Sequence, residues 1–251
     1  MISAIIQARM SSTRLPGKVL LPLGDTTVLG MTVRQVKKAK KIGTVILATS
    51  VEKEDDTVAQ HGEELGVTVF RGSLSDVLDR YYQASKQFGA EHICRITSDC
   101  PLIDPNIIDL VAAEYEKGDC DYISNGRVPS TYPDGMDTEI SSFSALEKAW
   151  KEARLPSERE HVTTYIWNHP EMFRVREVKS SEDLSAVRLT VDEPEDYEMI
   201  KSIVANVPKL SLPAILVYLG EHPEVEAKTA RFVRNEGYLK SLKQDEETKQ
   251  S

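Results

Sequence analysis

The fold prediction starts from the stretch SAIIQARMSSTRLPGKVL, residues 3–20, in which a short apolar run leads into a basic loop. Apolar residues dominate 3–8, a length and composition that predict a strand buried in a sheet. Polar residues, a proline and a glycine follow up to about Gly24, which predicts a loop. The chain is therefore predicted to begin with a buried strand that ends in a cationic loop.

Strands and helices alternate along the first 117 residues. Asp104 is predicted to cap a helix that has Pro105 at its first position. Strands joined by helices in this order form a parallel sheet with helices on both faces, so the predicted fold class is α/β with a mostly parallel sheet. The other predicted elements are strands at 44–49, 67–72 and 92–97 and helices at 26–41, 52–65 and 74–88.

A different pattern begins near residue 120, and it predicts a section continuous with the same sheet. Strands are predicted at DYISN (121–125), MDTEIS (136–141), MFRVREV (172–178) and AVRLTV (186–191), with helices near 143–153, 157–168 and 192–204. Two further helices are predicted after residue 208. We therefore predict a main domain at 1–208, a C-terminal helical extension at 209–242 and a disordered tail at 243–251.

Charge is unevenly distributed along the chain. The 251 residues include 31 Lys+Arg and 40 Asp+Glu, a net charge of −9, which argues against a general binder of nucleic acid or anionic membranes. Residues 1–50 nevertheless contain eight basic residues and one acid, Asp25. A basic region inside an acidic protein predicts a compact anionic ligand such as a polyphosphate.

The lack of a recognisable signal peptide and the pattern of cysteines predict a cytoplasmic protein without membrane contact. The start MISAIIQARM lacks the basic and long apolar segments of a signal peptide, and no apolar run approaches the ~20 residues that cross a bilayer. Cys94, Cys100 and Cys120 form no CxxC pair. They are predicted to be reduced thiols, which disfavours a zinc site.

The first loop places Arg9, Arg14 and Lys18 directly after the buried strand, together with three hydroxyl side chains and Gly17. Ligands of open parallel sheets bind beyond the carboxyl ends of the strands, where this loop is expected to lie. Arg offers forked donors and Lys a mobile charge, so three cations without a local acid suit a triphosphate. The P-loop spacing is absent, and the alternative is a solvated basic loop.

Two aspartates follow predicted strands. Asp99 comes after the strand at 92–97, and Asp192 comes after AVRLTV. Two carboxylates that face one crevice suit a hard cation such as Mg²⁺. Taken alone, Asp192 is more simply a helix N-cap, so the metal prediction depends on the pairing of the two aspartates.

Several stretches of the chain together resemble a known family. The chain is similar to cytidylyltransferases of the spore coat polysaccharide biosynthesis protein F type, relatives of the CMP-3-deoxy-manno-octulosonate and CMP-sialate synthetases. The resemblance covers nearly the whole chain. It implies a nucleotide-diphospho-sugar transferase fold, a Rossmann-like α/β fold with a mixed sheet, and makes 1–208 a nucleotidyltransferase domain. The stretches are ARMSSTRLPGK, FRGSLSDVLDRYYQA, RITSDCPLID, YPDGMDTEI, SEREHVTTYIWNHPEMF, RLTVDEPEDYEMI and EHPEVEAKTARFVRNEGYLKSL.

The resemblance also implies roles for individual residues. Those that would bind CTP are Arg9, Ser12, Arg14, Lys18, Ser73 and Asp76. Those that would contact the sugar are Asp137, Glu139, Arg159 and His161. Those that would hold Mg²⁺ are Asp99 and Asp192, and the residues expected to be catalytic are Arg9, Lys18 and Asp99.

The function implied by the resemblance is a Mg²⁺-dependent cytidylyltransferase, and relatives suggest a homodimer. It would join CMP to a 2-keto-3-deoxy acid sugar, a nonulosonic or octulosonic acid, and release pyrophosphate, for surface or spore coat polysaccharide synthesis. Thr97 and Ser98 stand where octulosonate relatives have Gln-Gly, so the acceptor stays open. The alternatives are a sugar-1-phosphate nucleotidyltransferase or glycosyltransferase of the same fold, or a non-catalytic nucleotide-binding subunit.

Overall fold

The computed structural model describes residues 1–249, which contain nine strands and eleven α-helices. The strands are β1 (Ile2–Gln7), β2 (Pro22–Leu23), β3 (Thr26–Thr27), β4 (Ile42–Ser50), β5 (Thr68–Gly72), β6 (His92–Thr97), β7 (Tyr122–Ser124), β8 (Glu139–Ser142) and β9 (Val175–Glu177). The helices are α1 (Val28–Val36), α2 (Asp56–Glu64), α3 (Val77–Gln87), α4 (Pro105–Tyr115), α5 (Phe143–Glu152), α6 (Pro156–Glu160), α7 (Thr164–Asn168), α8 (Pro194–Asn206), α9 (Leu212–Glu221), α10 (Pro223–Glu226) and α11 (Glu236–Lys249). None of these helices is both long enough and apolar enough to span a bilayer.

Seven strands form one sheet in the order β5-β4-β1-β6-β8-β7-β9. Strand β8 runs antiparallel to both of its neighbours, and the other six strands point the same way. The prediction of a mostly parallel mixed sheet is confirmed. Because β8 is reversed, its first residue, Glu139, lies at the carboxyl edge, opposite Arg95 of β6 and Ser124 of β7.

Alternating side chains along β1 divide the apolar residues between two cores. Ala4 and Ile6 belong to the core that contains residues of α1, α4 and α8. Ile5 belongs to the core that contains residues of α3 and α5. All three side chains are completely buried, so β1 is held from both faces and its carboxyl end is a fixed platform for the loop that follows. Helices on both faces of the sheet are confirmed.

The segment AVRLTV, predicted as a strand, is not one. Its one described β-bridge pairs Arg188 with Asp134, a residue outside the named strands. The N–H of Leu189 donates to the carbonyl of Asp134 at 2.7 Å, and the N–H of Val191 donates to the carbonyl of Asp99 at 2.8 Å. The buried Leu189 and Val191 explain the apolar pattern, and their loop partners fix the position of the residue that follows, Asp192.

The C-terminal part also differs from the prediction. A disordered tail was predicted from residue 243, but α11 continues to Lys249, and Gln250 and Ser251 lie outside the described residues. The physical reason is Asp245, which is 4% exposed and accepts bonds from the N–H and the hydroxyl of Ser157 at 2.9 and 2.6 Å. The sequence does not show that Asp245 is buried, because it is one of several charged residues in the tail. The division into 1–208 and 209–242 stays a prediction.

Candidate active site

A cleft at the carboxyl edge of the sheet consists of two adjoining lobes. The basic lobe has a volume of about 620 Å³, and its charged lining residues are Arg9, Arg14, Lys18, Arg80, Lys240, Asp99, Glu160 and Asp192. The acidic lobe has a volume of about 600 Å³, and its charged lining residues are Arg14, Arg95, Arg127, Arg234, Asp99, Asp134, Asp137, Glu139, Asp192 and Glu236. Arg14, Asp99 and Asp192 border both lobes, so they mark the junction between them.

Lys18 lies at this junction between the two predicted metal ligands. Its ammonium is 2.7 Å from Oδ2 of Asp99 and 2.7 Å from Oδ1 of Asp192. The N-cap of α8 is Glu193, so the side chain of Asp192 faces the junction and does not cap the helix. The structure therefore brings together three residues that are 81 and 174 positions apart in the chain.

Lys18 and Asp99 each hold the other in its charged form. Burial lowers the pKa of Lys18, but the two carboxylates outweigh it, and the pKa is raised above its ordinary value. Burial raises the pKa of Asp99, but the Lys18 ammonium outweighs it and holds the pKa at about 2. Arg14 also lies at the junction, 2.8 Å from Asp192, so two cations, Lys18 and Arg14, face the two carboxylates there.

The donor set at the junction fits Mg²⁺. This ion prefers oxygen ligands and is usually held by one or two carboxylates together with water and substrate phosphates. Within residues 1–249 there is no group of three or more His, Cys, Asp or Glu side chains that could hold a metal. Asp99 and Asp192 would therefore supply two ligands, and the phosphates of a nucleotide would supply others.

The loop that carries Lys18 is shaped by its backbone and by a buried aspartate. Gly17 has φ 70°, a left-handed conformation that other residues adopt at a cost, and its N–H donates to the carbonyl of Met10 at 3.0 Å. The N–H of Met10 in turn donates to Asp55, whose side chain is completely buried, at 2.6 Å. Asp55 thus anchors the loop, a role that the sequence did not reveal.

The predicted triphosphate cations are not free of acids, contrary to the sequence-based expectation. Arg14 lies 2.8 Å from Asp192, 3.4 Å from Glu193 and 3.0 Å from Glu236. All three acids come from the last quarter of the chain, so no local pattern could show them. Arg9 has a weaker ion pair than Arg14, because its side chain is 43% exposed and its Nη2 is 4.0 Å from Oε1 of Glu160.

These observations can now be set beside known proteins. A family model described as cytidylyltransferase matches residues 3–237. The chain belongs to the cytidylyltransferase family. It is similar to the spore coat polysaccharide biosynthesis protein SpsF of Bacillus subtilis, with 36% identity over 234 residues, 88% of this chain and 94% of the relative. The predicted family is confirmed, and the protein is an enzyme of the nucleotidyltransferase class.

Solved structures of related enzymes confirm the predicted nucleotide-sugar transferase fold. A cytidylyltransferase from Leptospira borgpetersenii is 39% identical, with a TM-score of 0.85 over 90% of this chain and 96% of that one. The structure of CMP:2-keto-3-deoxy-manno-octonic acid synthetase complexed with CTP has a TM-score of 0.63 over 81% of this chain and 98% of that one. Its identity is 16%, so this likeness concerns the fold alone.

Three of the four predicted sugar contacts line the acidic lobe of the enzyme. Glu139 accepts bonds from Arg95 and Thr163, and from the hydroxyl of Tyr122 at 2.7 Å. Asp137 pairs with Arg234, and burial raises the pKa of Asp137 to about 7. His161 lies 3.0 Å from the hydroxyl of Ser241, and burial lowers the pKa of His161 to about 4. These three groups thus already have partners, whereas the buried Nε atoms of Arg95 and Arg234 in the same lobe have no hydrogen-bond partner within the described part of the chain.

Ser73, Asp76 and Arg159 form a separate network beside α3. Asp76 caps α3 by accepting from the N–H of Asp79 at 2.8 Å, and Ser73 accepts from the N–H of Asp76 at 3.0 Å. The guanidinium of Arg159 bonds to Asp76, with Nε at 3.0 Å. None of the three is among the described residues that line either lobe, so their roles in binding stay predictions. Ser12 does line the basic lobe.

Proposed function

We propose that the enzyme transfers CMP from CTP to the hydroxyl of a 2-keto-3-deoxy acid sugar and releases pyrophosphate. The observation that supports this most strongly is the junction, where Lys18 lies between Asp99 and Asp192 at the meeting point of two lobes. CTP would place its phosphates in the basic lobe, and the sugar would occupy the acidic lobe. The product would serve surface or spore coat polysaccharide synthesis.

The chemistry is a single displacement at phosphorus. The anomeric oxygen of the sugar attacks the α-phosphorus, the new O–P bond forms, and the bond to the pyrophosphate oxygen breaks while the hydroxyl proton passes to solvent water. Arg9, Arg14 and Lys18 stabilise the charge that develops on pyrophosphate. This reaction needs no covalent enzyme intermediate, since positioning and charge neutralisation provide the rate enhancement.

Asp99 and Asp192 would hold Mg²⁺ in this reaction. When bound, Mg²⁺ neutralises phosphate charge and lowers the pKa of the attacking hydroxyl. Lys18 stays protonated beside these carboxylates, because its pKa is raised above its ordinary value. The two aspartates would therefore hold the ion, and Lys18 would hold the phosphates, at the boundary of the two lobes.

The charges of the acidic lobe support two classes of acceptor. Four arginines line it, Arg14, Arg95, Arg127 and Arg234, and they are suitable partners for the carboxylate of an acid sugar. Six carboxylates line it as well, and although Lys18 and Lys240 pair with three of them, these acceptors support a second candidate, a sugar that carries amino groups. An acid sugar would have to exchange places with carboxylates that now pair with the arginines.

A pyrophosphate-release screen tests the proposal. Four nucleoside triphosphates are combined with nonulosonic acids, octulosonic acids, amino sugars and sugar 1-phosphates, with and without Mg²⁺. We expect release only with CTP, an acid sugar and Mg²⁺. Release with an amino sugar would support the second candidate, and release with a sugar 1-phosphate would contradict the proposal. Binding of CTP without release from any pair would indicate a non-catalytic subunit.

We also propose that the enzyme is a homodimer, by analogy with relatives. Light scattering coupled to gel filtration should give twice the chain mass of 28.1 kDa. A mass of 28.1 kDa across the working concentration range would refute the dimer and leave the proposed reaction untouched.

A further inference from the structure

One face of α11 forms part of the basic lobe. Gly237, Lys240, Ser241 and Gln244 line it, and their spacing of three and four residues places them on the same side of a helix. The helix is fastened on α6 through Asp245, which bonds to Ser157, and through Ser241, whose hydroxyl donates to Glu160 at 2.6 Å. The last helix is thus a fixed wall of the lobe.

A carboxylate at the start of α11 joins two cations that come from opposite ends of the chain. Oε2 of Glu236 is 3.0 Å from Nη1 of Arg14, and Oε1 of Glu236 is 3.0 Å from the ammonium of Lys240. Carboxylate and phosphate oxygens are the same kind of acceptor for these donors. Glu236 therefore binds Arg14 and Lys240 in the way that a phosphate group would bind them.

We propose that Lys240 is a further cation of the triphosphate site and that Glu236 is the counter-ion which the triphosphate replaces. The inference rests on the proposed function, because it assigns the basic lobe to the CTP phosphates. Lys240 lies outside the residues 3–237 that the family model matches.

The exposure of Glu236 and Lys240 means that a phosphate group can replace the Glu236 carboxylate at a small cost in free energy. The side chains of Lys240 and Glu236 are 60% and 42% exposed, and ion pairs at such exposure contribute little stability. Beside them, a Cβ added to Gly237 would meet no described atom within 4 Å other than those of its two chain neighbours and of its own helix backbone, so no other described element closes off this side of the pair. A phosphate group can therefore approach Lys240 without displacing packed side chains.

Three variants and a matched control test the inference through binding, without catalysis. Calorimetry measures the affinity for inorganic tripolyphosphate and for CTP in the absence of sugar. Lys240→Ala should weaken both by about 10-fold, because a charge-assisted contact is lost, and Lys240→Arg should largely restore them. Glu236→Gln should tighten both by roughly 2- to 5-fold, the scale of one exposed ion pair. Lys243→Ala, on the same helix but outside the described lining of the lobe, should change neither.

The results separate this inference from the proposed function. Wild-type affinity in Lys240→Ala, equal losses in Lys240→Ala and Lys243→Ala, or weaker binding in Glu236→Gln would each overturn the inference. If the wild type binds tripolyphosphate but not CTP and the variants behave as expected, the inference stands and the proposed function fails. Alanine is the best helix former, so Lys240→Ala should leave α11 folded. An unchanged melting temperature of the Lys240→Ala variant verifies this.

Discussion

The two lobes of the cleft are built in opposite ways. The basic lobe takes three of its cations from one loop, Arg9–Lys18, directly after β1. The acidic lobe takes its charges from separate elements, and its pair of Arg234 and Asp137 joins residues 97 positions apart. Within it, the pair of Arg95 and Glu139 is largely buried, at 14% and 13% exposed. The cations of the basic lobe are thus encoded mainly in one loop, whereas the charges of the acidic lobe depend on the whole fold.

The largest effect is expected where the two lobes meet. Asp99→Asn should lower kcat by about 10³-fold or more, because an amide of the same shape lacks the charge needed to hold a cation at the junction. Steady-state rates with a Mg²⁺ titration measure this, and calorimetry should show that CTP binding survives in part through Arg9, Arg14 and Lys18. Full wild-type activity in excess chelator would remove the metal from the mechanism.

A somewhat smaller effect is expected inside the basic lobe. Lys18→Ala should weaken CTP binding or slow turnover by about 10²-fold, the scale of losing one charge-stabilising contact. The surface variant Lys53→Ala serves as a control with the same change of charge. CTP affinity and turnover that match the wild type in Lys18→Ala would show that the lysine only separates the two aspartates.

The sequence predicts the basic lobe far better than the acidic one for a physical reason. Buried strands such as β1 carry a local apolar signal, and the loop after them must lie at the carboxyl edge, so Arg9, Arg14 and Lys18 were found from spacing alone. The acids around Arg14 were not found, because Glu193 and Glu236 reach it only through tertiary packing.

The contacts of the acidic lobe are even harder to predict from the sequence, because they too depend on tertiary packing. Arg95 faces Glu139 because β8 runs antiparallel to β6 in the register that pairs these two residues. A local sequence pattern predicts neither the direction of β8 nor its register. The segment 186–191, which is buried from Arg188 onwards, has the apolar composition of a strand, but its backbone partners are loop carbonyls, as with Val191 and Asp99. Apolar composition reports burial, and the identity of the hydrogen-bond partner requires the fold.

In the acidic lobe, substitution is expected to affect stability as well as sugar binding. Glu139→Gln should lower the free energy of unfolding by about 2 kcal/mol, because Arg95 loses its buried partner charge. It should also raise KM for the sugar more than KM for CTP. Urea unfolding measures the first effect and steady-state kinetics the second. Glu147→Gln, whose carboxylate pairs with Lys151 and accepts a bond from the hydroxyl of Tyr82 at the surface, should lower the free energy of unfolding far less. Equal stability losses in the two variants would contradict the distinction.

The smallest effect concerns the pH dependence of stability, where two groups in the acidic lobe act in opposite directions. The pKa of His161 falls to about 4 in the folded enzyme through burial, below its ordinary value of 6.5. Between these values the unfolded chain binds more protons, so His161 makes stability rise with pH. The pKa of Asp137 rises to about 7 from 3.8, mainly through burial. The folded enzyme then binds more protons in that window, so Asp137 makes stability fall as pH rises.

The two contributions therefore oppose each other between about pH 4 and 6.5, and single variants should reveal them. Asp137→Asn should steepen the rise of stability with pH relative to the wild type, and His161→Asn should reduce or reverse it, each by about 1 kcal/mol over the window. Urea midpoints at pH 4.5, 5.5 and 6.5 measure the difference, and all other titrating groups cancel because they are common to the three proteins. If both variants shift the profile in the same direction, the lobe does not contain both a neutral histidine and a protonated aspartate in this pH range. A shift in opposite directions would show that the acidic lobe lowers its own charge by burial, whereas the basic lobe keeps its cations charged for an anion.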